Sequence, residues 1–404
     1  MMVAQDIFEV REDLRCLVSP SRDKDSARYS WYMYKHSYSK ELVEKILDEF
    51  GIKSGIVLDP FCGGGTTLLA CKERGIDSVG YDIMPFSVLV TRVKTETFNI
   101  KKIKEDFNSF NANDEIGELP DVEILDKAFS KKIKLTIIGI KNWINTLQNP
   151  SNREFFLLAL LSIIDKSSKA VKSGGFLRII RKRTKRVQML KNYKDTVEKM
   201  MRDVEVLPLI TSADSRVSVG DARALPTGQI FDAVITSPPY PNRHDYTRVY
   251  ALELLLSSID TNADLKVLRY ETLRSHVEAR KKFKSEDYKM PKTLEKLVKK
   301  LKRKRLNNPM ITKMLSGYFE DMYLALGEMK KNLKPSGRIA LVVSNVRYAG
   351  IPIPVDQLLA ETGEQTGLKT EKIIVARYRG NSAQQMKEYD RTPSRESIII
   401  WQNQ

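Results

Sequence analysis

Five short β-type runs, at 56–59 (IVLD), 78–82 (SVGYD), 216–221 (RVSVGD), 232–237 (DAVITS) and 338–344 (RIALVVS), constrain the fold of this chain most. Each closes on a polar or charged residue. The first, fourth and fifth are apolar without alternation, which suits strands buried on both faces of a parallel sheet. Helical patterns separate the runs. Leu42, Val43, Ile46, Leu47 and Phe50 form one apolar stripe over 39–50, with Ser39 as the expected N-cap and Glu41 as an acid in the first turn. A second helix is expected over 66–74, closed by Gly75, and a third over 317–333. Runs at 372–378 and 396–401 read as an antiparallel hairpin. The whole predicts an α/β, doubly wound, mostly parallel sheet ending in that hairpin.

Two stretches break the rhythm. Residues 100–210 separate the second and third runs by far more than an ordinary connection needs. Phe155 to Leu161 is core-like and 192–206 is amphipathic, so a mainly helical inserted subdomain is expected. Within it, 176–181 (FLRIIR) follows a Ser-Gly-Gly turn and reads as a strand bearing basic side chains. A second, basic insertion spans 262–312. The expected core is then 1–99, 211–261 and 313–404.

The segment Leu58-Asp59-Pro60-Phe61-Cys62-Gly63-Gly64-Gly65-Thr66-Thr67 joins the first strand to a helix. Three glycines let the backbone turn and approach a ligand closely, and the helix N-terminus offers free N–H groups. A nucleotide-type cofactor at the carboxyl end of the first strand fits. The dinucleotide pattern fails because Leu68 stands where the third glycine belongs, and no GK[ST] follows. Asp82, at the end of the second strand and followed by Ile83, suits a carboxylate that accepts from ribose hydroxyls. Asp221, followed by Ala222, suits an acceptor for an adenine amine. A purely structural glycine turn is the alternative.

Ser237-Pro238-Pro239-Tyr240 closes the fourth run. Two prolines remove two backbone donors and stiffen the chain, leaving carbonyls free to face a site. A hydroxyl, free acceptors and an aromatic face suit a planar group with an exocyclic amine. A proline turn without function is the bland alternative.

Together these segments resemble the two signature motifs of the S-adenosylmethionine-dependent DNA amino-methyltransferases. Phe61, Gly63 and Gly65 match the family's FxGxG cofactor motif, with Asp59, Pro60, Cys62, Thr66 and Thr67 around it. Ser237 to Tyr240 match its [D/N/S]PP[Y/F] catalytic motif, in the form typical of the cytosine-N4 branch. Residues 35–39, with Tyr38 and Ser39, resemble the motif that contacts the methionine end of the cofactor. The resemblance covers roughly 30–95, 215–260 and 315–401; the insertions match nothing in it. It implies S-adenosyl-L-methionine as cofactor, duplex DNA as partner and a cytosine flipped out of the stack. Ser237 and the Pro238 carbonyl would hold the amine, Tyr240 would stack on the base, and transfer would be a direct in-line displacement. It also places the chain in a restriction–modification system, with a cognate restriction endonuclease as a partner that need not touch it. An adenine-N6 enzyme, an RNA or tRNA methyltransferase and a non-catalytic nucleic-acid-binding module are the alternatives. A carbon-5 mechanism would need a cysteine nucleophile in a Pro-Cys pair, and Cys16, Cys62 and Cys71 follow Arg15, Phe61 and Ala70.

Charge sharpens the partner. The chain carries 68 Lys+Arg against 51 Asp+Glu, net +17, as polyanion-binding proteins do. Nine basic residues and no acid lie in 172–194, and thirteen with three acids in 280–305, which leaves the rest nearly neutral. Candidate DNA contacts are Arg178, Arg181, Arg183, Lys185 and Arg186 in the first segment and Lys299, Lys302 and Arg303 in the second. Arg243, His244 and Arg248, just past the proline loop, are further candidates, with His244 and Asp245 able to orient Ser237 or Asp245 to cap a helix. His36, His244 and His276 are remote in sequence, so no metal site is expected. No apolar run nears the ~18 residues that span a bilayer, and 1–15 lacks a signal pattern, so a cytoplasmic protein is expected.

Overall fold

The computed structural model describes residues 7–181, 184–210, 212–226, 228–380 and 393–404. Twelve strands are present among them: β1 (Phe8–Val10), β2 (Ile56–Asp59), β3 (Asp77–Asp82), β4 (Ala170–Ser173), β5 (Phe176–Ile179), β6 (Ser215–Val219), β7 (Phe231–Thr236), β8 (Leu333–Ser344), β9 (Val346–Tyr348), β10 (Ile351–Ile353), β11 (Leu368–Arg379) and β12 (Ser394–Asn403). Eight form one sheet in the order β1-β11-β12-β8-β7-β2-β3-β6. Within that sheet β12 alone runs against its neighbours. The expected α/β architecture with a terminal antiparallel pair is thus the fold observed.

The central strands are apolar over 57–58, 233–235 and 339–343 because both of their faces are covered there. Leu58, Val234, Leu341 and Ile399 point into a core shared with the helix Ile311–Lys331. Their neighbours Val57, Ile235, Ala340 and Ile398 point the other way, against the helix Lys40–Phe50. Strand side chains alternate with period two, so consecutive apolar residues serve opposite layers.

Two element ends and one helix cap refine what the sequence suggests. β6 ends at Val219, not Asp221, because the Asp221 carboxylate turns back to accept from the Arg223 N–H (3.0 Å) and closes a turn. The helix expected over 317–333 begins at Ile311. Ser39 does occupy the N-cap of Lys40–Phe50, yet its hydroxyl makes no cap bond, and the Asp23 carboxylate takes the Lys40 N–H instead (2.9 Å).

Residues 100–210 fold into the helices Ile100–Asn108, Glu123–Ala128, Lys131–Thr146, Pro150–Ser167 and Arg186–Val206, plus the β4–β5 hairpin. Their apolar side chains join those of the helices Pro85–Thr95 and Ala251–Ser257 in one continuous core, so the insertion extends the sheet's helical layer. Phe155, Phe156, Leu158 and Leu160 are fully buried there; each such side chain contributes about 1.5–3 kcal/mol. No helix among the described residues is long and apolar enough to cross a membrane.

Candidate active site

β2 and β7 are parallel neighbours, but the chain leaves β2 towards β3 and leaves β7 towards β8, on the opposite side. The sheet order therefore reverses between them, where a crevice opens at the strands' carboxyl ends. The glycine loop leaves β2 and the proline loop leaves β7, so the two motif loops start side by side.

Asp59 joins them. It is 2% exposed at the end of β2. Its carboxylate accepts from the Thr236 hydroxyl (2.6 Å), the Phe61 N–H (3.1 Å) and the Tyr38 hydroxyl (3.4 Å). Burial pushes this carboxyl up to about 6, against the pull of those donors. Gly63 and Gly65 take φ of +49° and +77°, in the left-handed region. A Cβ on Gly65 would lie 2.8–3.0 Å from Thr91. The buried Lys94 ammonium supports the loop by donating to the Gly64 carbonyl (3.0 Å) and the Tyr32 carbonyl (2.9 Å), and burial holds it down to about 7. Asp82 accepts from the Gly63 N–H (3.0 Å) and the Met84 N–H (2.9 Å) and is likewise pushed up to about 6 by burial.

A cavity with about 890 Å³ of empty space lies over these loops. Of the residues singled out from sequence, Tyr38, Asp59, Pro60, Phe61, Cys62, Gly63, Thr66, Asp82, Ile83, Asp221, Ala222, Ser237 and Pro239 line it. Ser39, Gly65, Thr67 and Pro238 do not. Thr67 is turned inward, its hydroxyl shared between the Tyr38 hydroxyl (2.5 Å) and the Ile235 carbonyl (3.3 Å). Asp221 lines the cavity but is already engaged by the Arg223 guanidinium (2.8–2.9 Å). Burial would raise its carboxyl; the Arg223 bonds and charge win and hold it below its ordinary value. Cys62 is a buried thiol pushed up by burial, which suits a small loop residue and not a nucleophile.

His36, within the 35–39 motif, also lines the cavity, and sequence reasoning missed part of the wall: Tyr34, Tyr246, Thr272, Leu273, Ser275 and His276. The aromatic-rich 29–38 segment carried a signal for Tyr34. The 272–276 segment carried none, because a buried ion network attaches it. Asp321, fully buried, accepts from Arg223 (3.0 Å) and from the Arg274 backbone and guanidinium (2.6–3.1 Å).

An open cleft with about 2190 Å³ of empty space adjoins the cavity, and His276 borders both. It is lined by Tyr240, Arg243, His244, Arg248, Arg347 and Arg379, and by the Gly174-Gly175-Phe176 turn of the β4–β5 hairpin. A Cβ on Gly175 would sit 3.2–3.3 Å from the backbone of Arg243, His244 and Asp245, so the hairpin turn packs on the continuation of the proline loop.

Several expectations need correction. His244 and Asp245 do not orient Ser237, whose hydroxyl donates to the Val342 carbonyl (3.1 Å) and lies 3.5 Å from the Tyr240 hydroxyl. Asp245 caps the helix Tyr246–Val249 and pairs with Arg269 (3.0 Å) and Arg248 (3.2 Å). Arg248 is thereby held among acids, Glu278 included. Arg243 sits at φ +70° and donates to the Asn307 side chain (2.9 Å). Arg186 is partly exposed and pairs with Glu115 (2.7 Å). Arg178, Arg181, Lys185, Lys302 and Arg303 are exposed, as is Lys299, which pairs with Glu295 (2.6 Å). None of these six lines the cavity or the cleft. Arg183 lies outside the described residues.

The three histidines, remote in sequence, gather in space. The His36 and His244 rings are 4.2 Å apart, and both touch Tyr246. Burial depresses all three, His36 to about 3 and His244 to about 4, so they are neutral at pH 7.

Comparison with known protein sequences identifies the family. A DNA methylase family model, that of the N6/N4 methylases, matches residues 13–91. The type II methyltransferase M.BsoBI of Geobacillus stearothermophilus is 32% identical, over 96% of this chain and 88% of that protein. M.AvaI of Nostoc sp., also a type II methyltransferase, is 29% identical over 98% and 91%. Among solved structures, the rRNA methyltransferase aviRa from Streptomyces viridochromogenes matches at 10% identity and a TM-score of 0.33, over 94% of this chain and 93% of that one. With relatives matched along nearly their whole length, the chain belongs to the DNA amino-methyltransferases of the type II, N6/N4 methylase family.

Proposed function

We propose that this protein methylates the exocyclic N4 amine of a cytosine flipped from duplex DNA, with S-adenosylmethionine as methyl donor, as the modification enzyme of a restriction–modification system. The observation that carries the reading is the pairing of Ser237-Pro238-Pro239-Tyr240 with the glycine loop at the switch point, Ser237 and Pro239 bordering the cavity that the glycine loop floors.

The residues present fit that cofactor. Positive-φ glycines leave the floor bare of side chains, and Asp82 keeps acceptor capacity beyond its two backbone bonds. Asp82, Ile83 and Ala222 would hold the adenosyl group and Tyr38 and Thr66 the methionine end. S-adenosylmethionine supplies an electrophilic methyl on a sulfonium. The chain's own part is to hold the target: Ser237 and the Pro238 carbonyl bind the amine, and Tyr240 packs on the base. Catalysis on this reading is positioning, with no covalent intermediate. We further assign 100–210 to target recognition, because its hairpin turn abuts the catalytic loop, and the exposed basic residues to phosphates. The 262–312 segment has two roles on this reading: Thr272–His276 walls the cavity, and its exposed lysines face the DNA.

Nucleoside analysis of methylated plasmid by mass spectrometry tests the base. N4-methylcytosine is expected; N6-methyladenine alone, or no modified base on any duplex, overturns the reading.

The Asp82 carboxyl gives a pH dependence. Its value of about 6 in the folded protein lies above the ordinary 3.8. Protonation thus favours the folded state, a contribution present on the acid side and lost as pH rises through about 6. Cofactor binding runs the other way, since protonation costs the carboxylate an acceptor. Calorimetric affinity for S-adenosylmethionine is expected to fall severalfold between about pH 7.5 and pH 5, while the ligand-free protein does not lose stability from this group. In Asp82→Asn the affinity should be weak at both pH values; an unchanged pH profile would refute the assignment.

A further inference from the structure

We infer that Glu396 is a positioning residue for methyl transfer: its buried carboxylate fixes the hydroxyl of Tyr240 and so sets the aromatic end of the catalytic loop. The inference rests on the methyl-transfer reading above, but the residue lies far from both motifs in sequence.

Glu396 stands near the start of β12, opposite Ser344 of β8 and Arg377 of β11, and is 2% exposed. One carboxylate oxygen accepts from the Tyr240 hydroxyl (3.3 Å) and lies 3.5 Å from the Arg379 guanidinium. The other accepts from Arg377 Nε (2.5 Å). A carboxylate at this depth is tolerated because two guanidinium groups balance it. Neither arginine requires the tyrosine. The tyrosine has been brought to an acid that was already paired.

The consequence is geometric. Ser237 is tied to the Val342 carbonyl of β8, and Tyr240 is tied to Glu396 of β12, the next strand. Two rigid prolines lie between the tied residues. The four-residue loop is therefore held at both ends by adjacent strands of the sheet, and its middle, the acceptor for the amine, has little freedom left. Burial first, and the Glu396 charge second, push the Tyr240 hydroxyl well above its ordinary value, so it stays a donor across the working range. Arg379, about half exposed, borders the open cleft and shares the same carboxylate. The anchor thus reaches the surface on which duplex DNA would lie.

The test is steady-state transfer of labelled methyl groups to duplex DNA by wild type, Tyr240→Phe, Glu396→Leu, Glu396→Gln and the Tyr240→Phe/Glu396→Leu pair, with melting temperatures recorded for each. Tyr240→Phe keeps the ring and both ion pairs and removes only the hydroxyl, with its contacts to Glu396 and Ser237; comparison with the Glu396 variants isolates the first. Tyr240→Phe is expected to lower kcat about tenfold with little change in KM for DNA. Glu396→Leu should lower kcat by at least as much, Glu396→Gln, which keeps an acceptor, by about threefold or less, and the double variant should be no worse than Glu396→Leu. If Tyr240→Phe turns over like wild type, or if the losses in the double variant multiply, or if the Glu396 variants lose melting temperature but not kcat, the inference is overturned. If Glu396→Leu does not fold, the Tyr240→Phe and Glu396→Gln results still decide. A wild type that methylates no DNA would refute the underlying reading instead, and the two failures are thereby distinct.

Discussion

Asp59→Ala is expected to stop methyl transfer and to destabilise the fold by about 3 kcal/mol, measured by urea unfolding. The carboxylate it removes is buried and takes three donors, from Thr236, Phe61 and Tyr38. Water cannot replace it without opening the junction of β2 and β7, so the Thr236 hydroxyl and the Phe61 N–H are left unsatisfied. A buried donor stripped of its partner costs about 1–3 kcal/mol, and two such losses already reach the predicted figure. The functional loss follows from position. Thr236 precedes Ser237, and Phe61 opens the glycine loop, so the one side chain sets the spacing of both loops. Asp59→Asn keeps an acceptor for Thr236 and Phe61 and should lose only about 1 kcal/mol with measurable activity. Normal turnover in Asp59→Ala would sink the view that this residue couples the loops.

Why was so much of this legible beforehand? The central strands are buried on both faces, so β2, β7 and the second half of β8 carry apolar runs (57–58, 233–235, 339–343), and the turns that follow β2 and β7 are written in glycine and proline. Local backbone demands leave local marks. Gly63 and Gly65 occupy conformations other residues resist, and the Ser-Pro-Pro-Tyr turn cannot continue a strand. β1, β9 and β10 left no comparable trace, each being three residues long and half polar or flanked by turns. Side-chain partnerships were harder. Arg186, Arg243 and Arg248 are basic residues near the right place, yet each has an intramolecular partner from a distant segment. Composition counts charges but cannot tell a neutralised guanidinium from a free one. The same limit hid the histidine cluster, whose members are brought together by loops that only the folded sheet juxtaposes.

Asp321 is the strongest case of such a hidden partnership, and Asp321→Leu carries the second large expectation: a loss of about 3–5 kcal/mol together with at least tenfold weaker binding of S-adenosylmethionine. Asp321 lies on the helix Ile311–Lys331, outside every motif, and is fully buried. It pairs with Arg223, which also holds Asp221, and with Arg274, which begins the stretch Arg274–His276 beside the cavity. Burial disfavours the charge on Arg223, and the hydrogen bonds and charges of Asp221 and Asp321 outweigh it and keep its value raised. Without Asp321 two largely buried guanidinium groups lose their shared counter-charge, and removal of one member of a buried pair costs far more than the pair contributes. Arg274 retains Glu320 (3.0 Å) and Arg223 retains Asp221, so the protein should fold, though weakly. What it loses is the attachment of the Thr272–His276 wall to the end of β6. That wall comes from the segment whose charge pointed only to DNA. Calorimetry and denaturation on Asp321→Leu separate the two effects: weakened binding with a loss of stability supports a wall fixed by this network. Unchanged affinity in the destabilised protein would mean that the wall is held by packing alone.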